Sequence, residues 1–236
     1  MKNNILNKKI TIAIDGFSST GKSTLAKQVA SKLGYAYVDT GAMYRAITLF
    51  AMKKGYIGAG FFDKESLIAV LAEVKLQFKF NEDLGYGEMF LNDENVEQQI
   101  RKIAVSGFVS KVAEISEVRS KLVEQQQQMG KDKGIVMDGR DIGTVVFPDA
   151  ELKIFMTATA ATRAQRRYQE LLAKGDLVTH EAVLKNVEER DYIDTHRENS
   201  PLKIAPNATT IDNSNLTKEA QFDLVMQLVT NVLVVV

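Results

Sequence analysis

From Lys9 to Asp15 the chain reads KITIAID, an apolar and β-rich run between polar flanks, the pattern of a strand buried in a parallel sheet. The run stops at Gly16. From Lys22 to Leu33 the apolar positions take up helical spacing, at Leu25, Val29, Ala30 and Leu33, and Gly34 stands where a helix-ending glycine belongs. Tyr35 to Val38 predicts a second strand. Strand, glycine-rich turn, helix and strand make a βαβ unit, whose crossover is expected to be right-handed.

Further along, Ala42–Lys54 predicts a helix ended by Gly55, and Lys64–Glu73 another. The period then changes to two. Val74–Phe80 alternates as VKLQFKF and finds a partner in Glu88–Leu91 across Asn81–Gly87, which predicts an antiparallel hairpin. An antiparallel piece inside an α/β chain marks an insertion, over roughly residues 60–105. Helical patterning resumes from Val96 to the four glutamines Gln125–Gln128, a solvated helix end. Gly134–Asp138, Leu152–Met156 and Thr209–Ile211 predict strands; Thr159–Ala173, His180–Thr195 and Thr217–Val232 predict helices. Val232–Val236 is expected to end a strand or helix packed on the core. The alternation as a whole predicts an α/β fold, a parallel sheet covered on both faces with its ligand at the C-terminal strand ends.

With 236 residues, 45% hydrophobic and 25% charged, the chain can bury a real core, in one domain with a smaller insertion. Thirty basic and thirty acidic residues cancel, so no net field holds a nucleic-acid backbone or an anionic membrane surface. The absence of cysteine removes disulfides, thiolate catalysis and zinc ribbons, and His180 and His196 are too few for a histidine-rich metal site. No run is long enough to span a membrane, and the apolar stretch after the polar N-terminus is too short for a signal peptide. The expected location is the cytoplasm. Met1–Lys8 precedes the first strand as an extension.

The sharpest motif is Gly16-Phe17-Ser18-Ser19-Thr20-Gly21-Lys22-Ser23, which fits the phosphate-binding G-x-x-x-x-G-K-[ST] loop at every fixed position, between a strand and a helix. Its backbone amides can curl around phosphate, Lys22 can reach the β- and γ-phosphates, and Ser23 can ligate Mg²⁺. The ligand is therefore a nucleoside triphosphate. Asp39-Thr40-Gly41-Ala42-Met43-Tyr44-Arg45 and Asp138-Gly139-Arg140-Asp141 each follow a strand, so both come to the same sheet edge. Asp138 is a candidate to hold Mg²⁺ through water, although an aspartate ending a strand is also a common turn or cap residue. Of nine arginines, six (Arg140, Arg163, Arg166, Arg167, Arg190 and Arg197) lie between residues 140 and 197. Arg163, Arg166 and Arg167 fit a solvated helix face as well as a lid; phosphoryl transfer needs several fixed cations, and arginine clamps phosphate better than lysine. The base-reading Asn-Lys-x-Asp of GTPases and the Leu-Ser-Gly-Gly-Gln of transporter ATPases are missing, which leaves a small-molecule kinase in front.

Over nearly the whole chain, Ile10 to Val229, the sequence resembles the bacterial cytidylate kinases. The resemblance is carried by GFSSTGKST (16–24), VDTGAMYR (38–45), Ile100-Arg101, MDGRDIGTVVFPDAELKIF (137–155), and Glu189, Arg190, Asp191, Asp194 and Arg197. It implies a three-layer P-loop kinase fold: a single kinase domain over residues 1–236, an acceptor-binding insertion near 60–105, and an arginine-rich helical lid near 157–197. The implied reaction moves the γ-phosphate of ATP to CMP or dCMP, with Mg²⁺ held at Ser23 and Asp138. The resemblance assigns ATP to Gly16, Phe17, Ser18, Ser19, Thr20, Gly21, Lys22, Ser23, Thr24, Arg163 and Arg167. Thr40, Ser110, Arg119 and Asp141 fall where the family surrounds cytosine, Arg45, Arg140 and Arg197 where it holds the acceptor phosphate, and Arg190 and Asp194 near the ribose. Lys22, Arg140 and Arg197 are the expected catalytic cations. Chemistry agrees in part, since Asp141 can accept from the cytosine amine, and Arg119 and Ser110 can donate to O2 and N3. Phe17 and Thr40 depart from the family's frequent Pro and Ser.

Rival readings are another monophosphate kinase, one with broad UMP and CMP use, and a non-catalytic nucleotide-binding switch. The last has little use for so many arginines at one edge, and zero net charge speaks against a nucleic-acid-binding ATPase. ATP and CMP or dCMP are the expected partners, with no nucleic acid or membrane, and nothing demands more than a monomer.

Overall fold

The computed structural model describes residues 8–235. Residues 1–7, most of the expected N-terminal extension, and Val236, the last of the terminal valines, lie outside the described residues. The chain forms two compact units, one made of the residues up to Tyr37 and from Gly130 onward, the other of Val38–Met129.

The first unit opens with β1 (Thr11–Gly16), α1 (Lys22–Leu33) and β2 (Ala36–Asp39), which runs into the second unit at Val38. The second unit holds α2 (Thr40–Lys53), the two-residue strands β3 (Ile57–Gly58) and β4 (Phe61–Phe62), and α3 (Lys64–Ala69). It continues through β5 (Leu76–Asn81), β6 (Tyr86–Leu91), β7 (Glu94–Asn95), α4 (Ile103–Ser106), α5 (Val109–Val112) and α6 (Ser116–Met129). The first unit resumes with β8 (Ile135–Gly139), β9 (Leu152–Thr157), α7 (Ala160–Ala173), α8 (His180–His196), β10 (Thr209–Asp212) and α9 (Lys218–Val235).

The architecture is α/β, around a five-stranded sheet in the order β10-β9-β1-β8-β2, with parallel pairing of β1 to β8, β1 to β9 and β9 to β10. Alternation along each strand decides which residues line which face. Ile12 and Ile14 of β1, Val136 of β8, Ile154 and Met156 of β9 and Ile211 of β10 share a core with Leu25 and Val29 of α1 and Val225 and Val229 of α9. The C-terminal apolar run is a helix end, and its Val232 and Leu233 pack on this core. From β1 the connection passes β8 to reach β2, whereas from β8 it passes back over β1 to reach β9. The order reverses around β1, so the C-terminal end of β1 is the topological switch point.

The second unit has its own core, in which Met43, Ile47 and Phe50 of α2 meet Leu76, Met89 and Leu91 of the hairpin and Val118 and Leu122 of α6. Two sequence expectations are corrected here. The helix expected over Lys64–Glu73 stops at Ala69, and Leu71–Glu73 is a separate 3-10 turn. The helical pattern from Val96 breaks into the 3-10 turn Gln99–Arg101, then α4, α5 and α6; Lys102, between the first two, is extended at φ −66° and ψ 150°. Ile100, Val105, Val109, Val112 and Val118 all line the one core, so burial sets their spacing where no single helix does. The ribbon β3–β4 and the strand β7 are too short to leave a periodic signal.

Gly16 ends β1 at φ +143°, and a Cβ there would lie 2.0 Å from the Met156 carbonyl oxygen on β9. Both the backbone angle and the contact require glycine. Gly16→Ala is expected to lower stability by about 2 kcal/mol or more, read as a fall in the midpoint of thermal denaturation followed by circular dichroism.

Candidate active site

At the switch point the chain turns from β1 into α1 through Gly16–Gly21. Gly21 takes the left-handed conformation, φ +87°, and no side chain caps the helix it precedes. The first turn of α1 carries no acidic residue, so its positive end stays uncompensated, the arrangement that binds anions. Inside the loop Thr20 Oγ1 donates to the Phe17 carbonyl at 3.0 Å, and Lys22 Nζ donates to the same oxygen at 2.6 Å. Ser18 Oγ is buried and makes no hydrogen bond among the described residues, a polar atom available to a ligand oxygen. Lys22 is itself buried, and burial followed by repulsion from Arg140 pulls its ammonium down to about 7, against the attraction of Asp138, Asp15 and Asp194. A phosphate beside it would restore the charge.

Asp138, next to last in β8, shares the α1 face of the sheet. Its Oδ2 accepts from Ser23 Oγ at 2.9 Å and its Oδ1 from the Tyr37 hydroxyl at 2.9 Å. No cluster of three or more metal-ligating side chains occurs among the described residues. One hydroxyl and one carboxylate fit Mg²⁺ nonetheless, because that ion keeps several waters and takes further oxygens from substrate phosphates.

Asp15 lies on the opposite face, one residue before the loop, and in the sequence it is only the last residue of the strand run. Its carboxylate accepts from the backbone amides of Ile142 and Gly143 at 2.8 and 2.7 Å. These belong to the single π-helical turn Ile142–Val146 that follows Arg140 and Asp141. Burial raises the Asp15 carboxyl to about 7, helped by Asp141 and opposed by the two amides and Lys22. The start of the phosphate loop is thereby tied to the Arg140–Asp141 segment.

The arginines divide by partner. Arg140 Nε donates to Asp194 Oδ2 at 2.8 Å, and burial of its guanidinium is outweighed by Asp194, Asp138 and Asp191, so its pKa rises further. Arg197 is buried; it donates to the Ser200 carbonyl and approaches Asp141 Oδ1 at 4.0 Å. Asp194 thus gathers Arg140, Arg190 and Arg197 around one carboxylate, and their charges, overcoming its burial, hold it below the usual carboxylate range. Arg163 is turned inward: it forms a two-pronged pair with Asp191 at 3.0 and 2.6 Å, donates to the Ala158 carbonyl, and stacks 5.0 Å from the centre of the Phe17 ring. Arg166 binds Asn213, whose amide donates to the Thr20 carbonyl at 2.7 Å, so this arginine braces the loop from α7. Arg167 pairs with the half-exposed Glu170 at 2.9 Å.

In the second unit Asp39 caps α2, accepting from the Ala42 amide at 2.9 Å, and Thr40 is buried beside it. Asp39 Oδ2 pairs with Arg45 at 3.0 Å and with Arg101 at 2.7 Å. Ser110 and Arg119 are both buried; Arg119 donates to the Ala113 carbonyl at 3.2 Å and lies over the Tyr44 ring at 5.6 Å.

A sequence model of a family described as cytidylate kinase matches residues 12–231. The chain belongs to that family. A protein named cytidylate kinase from Flavobacterium johnsoniae is 72% identical over 225 residues, covering 95% of this chain and 98% of that one. Another of the same name from Flavobacterium psychrophilum is 66% identical over 225 residues, covering 95% and 100%. Among solved structures, a protein of Eubacterium ventriosum described as uncharacterized shares the fold at a TM-score of 0.50 and 11% identity, covering 95% of this chain and 99% of that one.

Besides Asp15, Tyr37, Asn213 and Glu97, which pairs with Arg101 at 2.5 Å, carry no motif signal in this cytidylate kinase family member, while Asp39, Arg101 and Asp191 lie inside the family-like motifs. The motif position of Asp39 at a strand end was the one available signal. The depressed pKa of Asp194 means that its ionised form stabilises the fold above about pH 4 and that this contribution is lost as pH falls through the folded value. Asp194→Asn, which leaves buried arginines without their carboxylate, should cost about 3 kcal/mol at pH 7. Denaturant titrations should show the gap between variant and parent narrowing below pH 4, and a gap independent of pH would contradict this role.

Proposed function

We propose that the protein transfers the γ-phosphate of ATP to CMP or dCMP, giving ADP and CDP or dCDP, as an enzyme of pyrimidine nucleotide metabolism. The observation that carries this reading is the joining of a phosphate loop, through Asp15, to the Arg140–Asp141 segment of a chain that belongs to the cytidylate kinase family.

An oxygen of the acceptor phosphate attacks the γ-phosphorus in line, a bond forms to that oxygen, and the bond to the β–γ bridging oxygen breaks with ADP as leaving group. The acceptor phosphate is already ionised near neutral pH, so no general base is needed and catalysis rests on positioning and charge neutralisation. Gly16–Thr24 hold the ATP phosphates, with Lys22 at the β- and γ-phosphates. Arg140 and Arg197 join Lys22 as catalytic cations and hold the acceptor phosphate together with Arg45. Ser23 and Asp138 would hold Mg²⁺, which when bound would supply positive charge to offset that of the phosphates. Thr40, Ser110, Arg119 and Asp141 contact cytosine, and Arg190 and Asp194 the ribose region. Arg163 and Arg167 are assigned to the ATP side, and their settings differ: the partners of Arg163 make it a brace for the loop, while Arg167 is the more accessible of the two.

Residues 60–105 serve as the acceptor-binding insertion and 157–197, around α7 and α8, as a lid, within one kinase domain spanning residues 1–236. The proposed setting is a monomer in the cytoplasm, without nucleic-acid or membrane partners; no helix among the described residues is long and apolar enough to cross a membrane.

ADP release with Mg·ATP, measured against CMP, dCMP, UMP, AMP, GMP and dTMP and without acceptor, should favour CMP and dCMP. Equal turnover without acceptor would overturn the reading. Lys22→Ala should lose at least about 100-fold in kcat while staying folded. Asp141→Ala should raise KM for CMP well beyond that for ATP, because the cytosine amine loses its acceptor while the ATP contacts stay intact.

A further inference from the structure

Arg101 has no part in the proposed reaction, yet it is one of the most heavily engaged side chains of its unit. Its Nε and Nη2 donate to Glu97 Oε1 at 2.9 and 2.5 Å, and its Nη1 donates to Asp39 Oδ2 at 2.7 Å. The other Glu97 oxygen accepts from the Met89 amide at 3.0 Å, which anchors the pair to the buried core of the hairpin. Asp39 Oδ2, already bound by Arg101, also accepts Arg45 Nη2 at 3.0 Å. A continuous chain of polar contacts therefore runs from the backbone of β6 through Glu97, Arg101 and Asp39 to Arg45. Burial opposes the charge on Asp39, but Arg45 and Arg101 together outweigh it and hold the carboxyl well below the usual range. Burial likewise opposes the charge on Arg101, and Asp39 and Glu97 more than restore it.

Two carboxylates and two guanidiniums leave this cluster neutral, but its contacts are uneven. Arg101 meets both carboxylates and takes the shorter contact to Asp39, whereas Arg45 takes the longer one to the oxygen they share. A carboxylate whose charge is already spent on one arginine attracts a second less strongly. We propose that Arg101 is a positioning residue for the acceptor phosphate: fixed by Glu97, it holds Asp39 in place and draws off its charge, so that Arg45 is oriented but keeps its attraction for a phosphate dianion. This rests on the reading of Arg45 as a ligand of the acceptor phosphate. Removing Arg101 leaves Asp39 to close on Arg45, and the phosphate must then compete with an internal ion pair.

The test is steady-state kinetics of ADP formation with CMP and ATP varied in turn, on Arg101→Met, Arg101→Lys, Glu97→Gln, Arg45→Met and the Arg45→Met/Arg101→Met double variant, each checked for folding by thermal denaturation. Arg101→Met should raise KM for CMP about 10-fold and change KM for ATP less than about 2-fold. Arg101→Lys should recover part of the loss, and Glu97→Gln should raise the same constant in the same direction, which holds the test open if the Met variant folds poorly. Beyond Arg45→Met, removing Arg101 should add little, because its effect passes through Arg45.

Equal changes in both KM values, or none, would overturn the proposal. A Glu97→Gln variant with unchanged KM for CMP beside a damaged Arg101→Met would overturn it too, since Arg101 would then be touching phosphate itself. Failure of the underlying reading looks different: Arg45→Met alone would leave KM for CMP unchanged.

Discussion

Positive charge held in a nearly dry place at the C-terminal edge of the sheet is the constraint on which the site is built. Lys22 shows the cost directly, because burial and its neighbour Arg140 pull its ammonium down to about 7 in spite of three nearby carboxylates. Arg140 keeps its charge because Asp194 and Asp138 supply the opposite one at close range. The carboxylates are therefore as much a part of a phosphate site as the cations. Without them the cations would have to be solvated, and a solvated cation is neither fixed nor strong.

The alternation of a single strand then sorts the carboxylates by task. Ile14 points into the core shared with α1, and Asp138, its register partner on β8, carries its oxygens to Ser23 at the start of that helix. Asp15 points the other way and grips two amides of the turn that follows Asp141. One oxygen cluster is thus suited to a hydrated divalent ion, and the other joins two chain segments. Gly16, between β1 and the loop, has no room for a side chain because β9 passes so close. In the second unit the same principle recurs, with Asp39 shared between two arginines.

How far the site was legible depends on how local its causes are. The phosphate loop, the helix behind it and the strand before it stood out because glycine positions, Lys22 and Ser23 are fixed within eight residues. Asp138, Arg140 and Arg197 are candidates because they stand in motifs. Asp15 was passed over because its partners lie 127 and 128 residues further along. Arg163 and Arg166, spaced as on a solvated helix face, turn out to be tied to Asp191 and Asn213, which only the packing of α7 brings into reach. The stretch from Val96 onward carries helical patterning, but its apolar residues all line one core while the backbone divides into a 3-10 turn and three separate helices, boundaries that the spacing of apolar residues does not mark.

What unites these features is fixed charge, in which each buried cation is held by a carboxylate, the kind of environment that phosphoryl transfer requires. The most direct test follows the group itself. ATP carrying a label in its γ-phosphate, incubated with CMP and magnesium in the presence of the enzyme, should deliver that label to the terminal phosphate of CDP, with little released as inorganic phosphate. Label found chiefly as inorganic phosphate, with CMP recovered unchanged, would contradict the account at its centre.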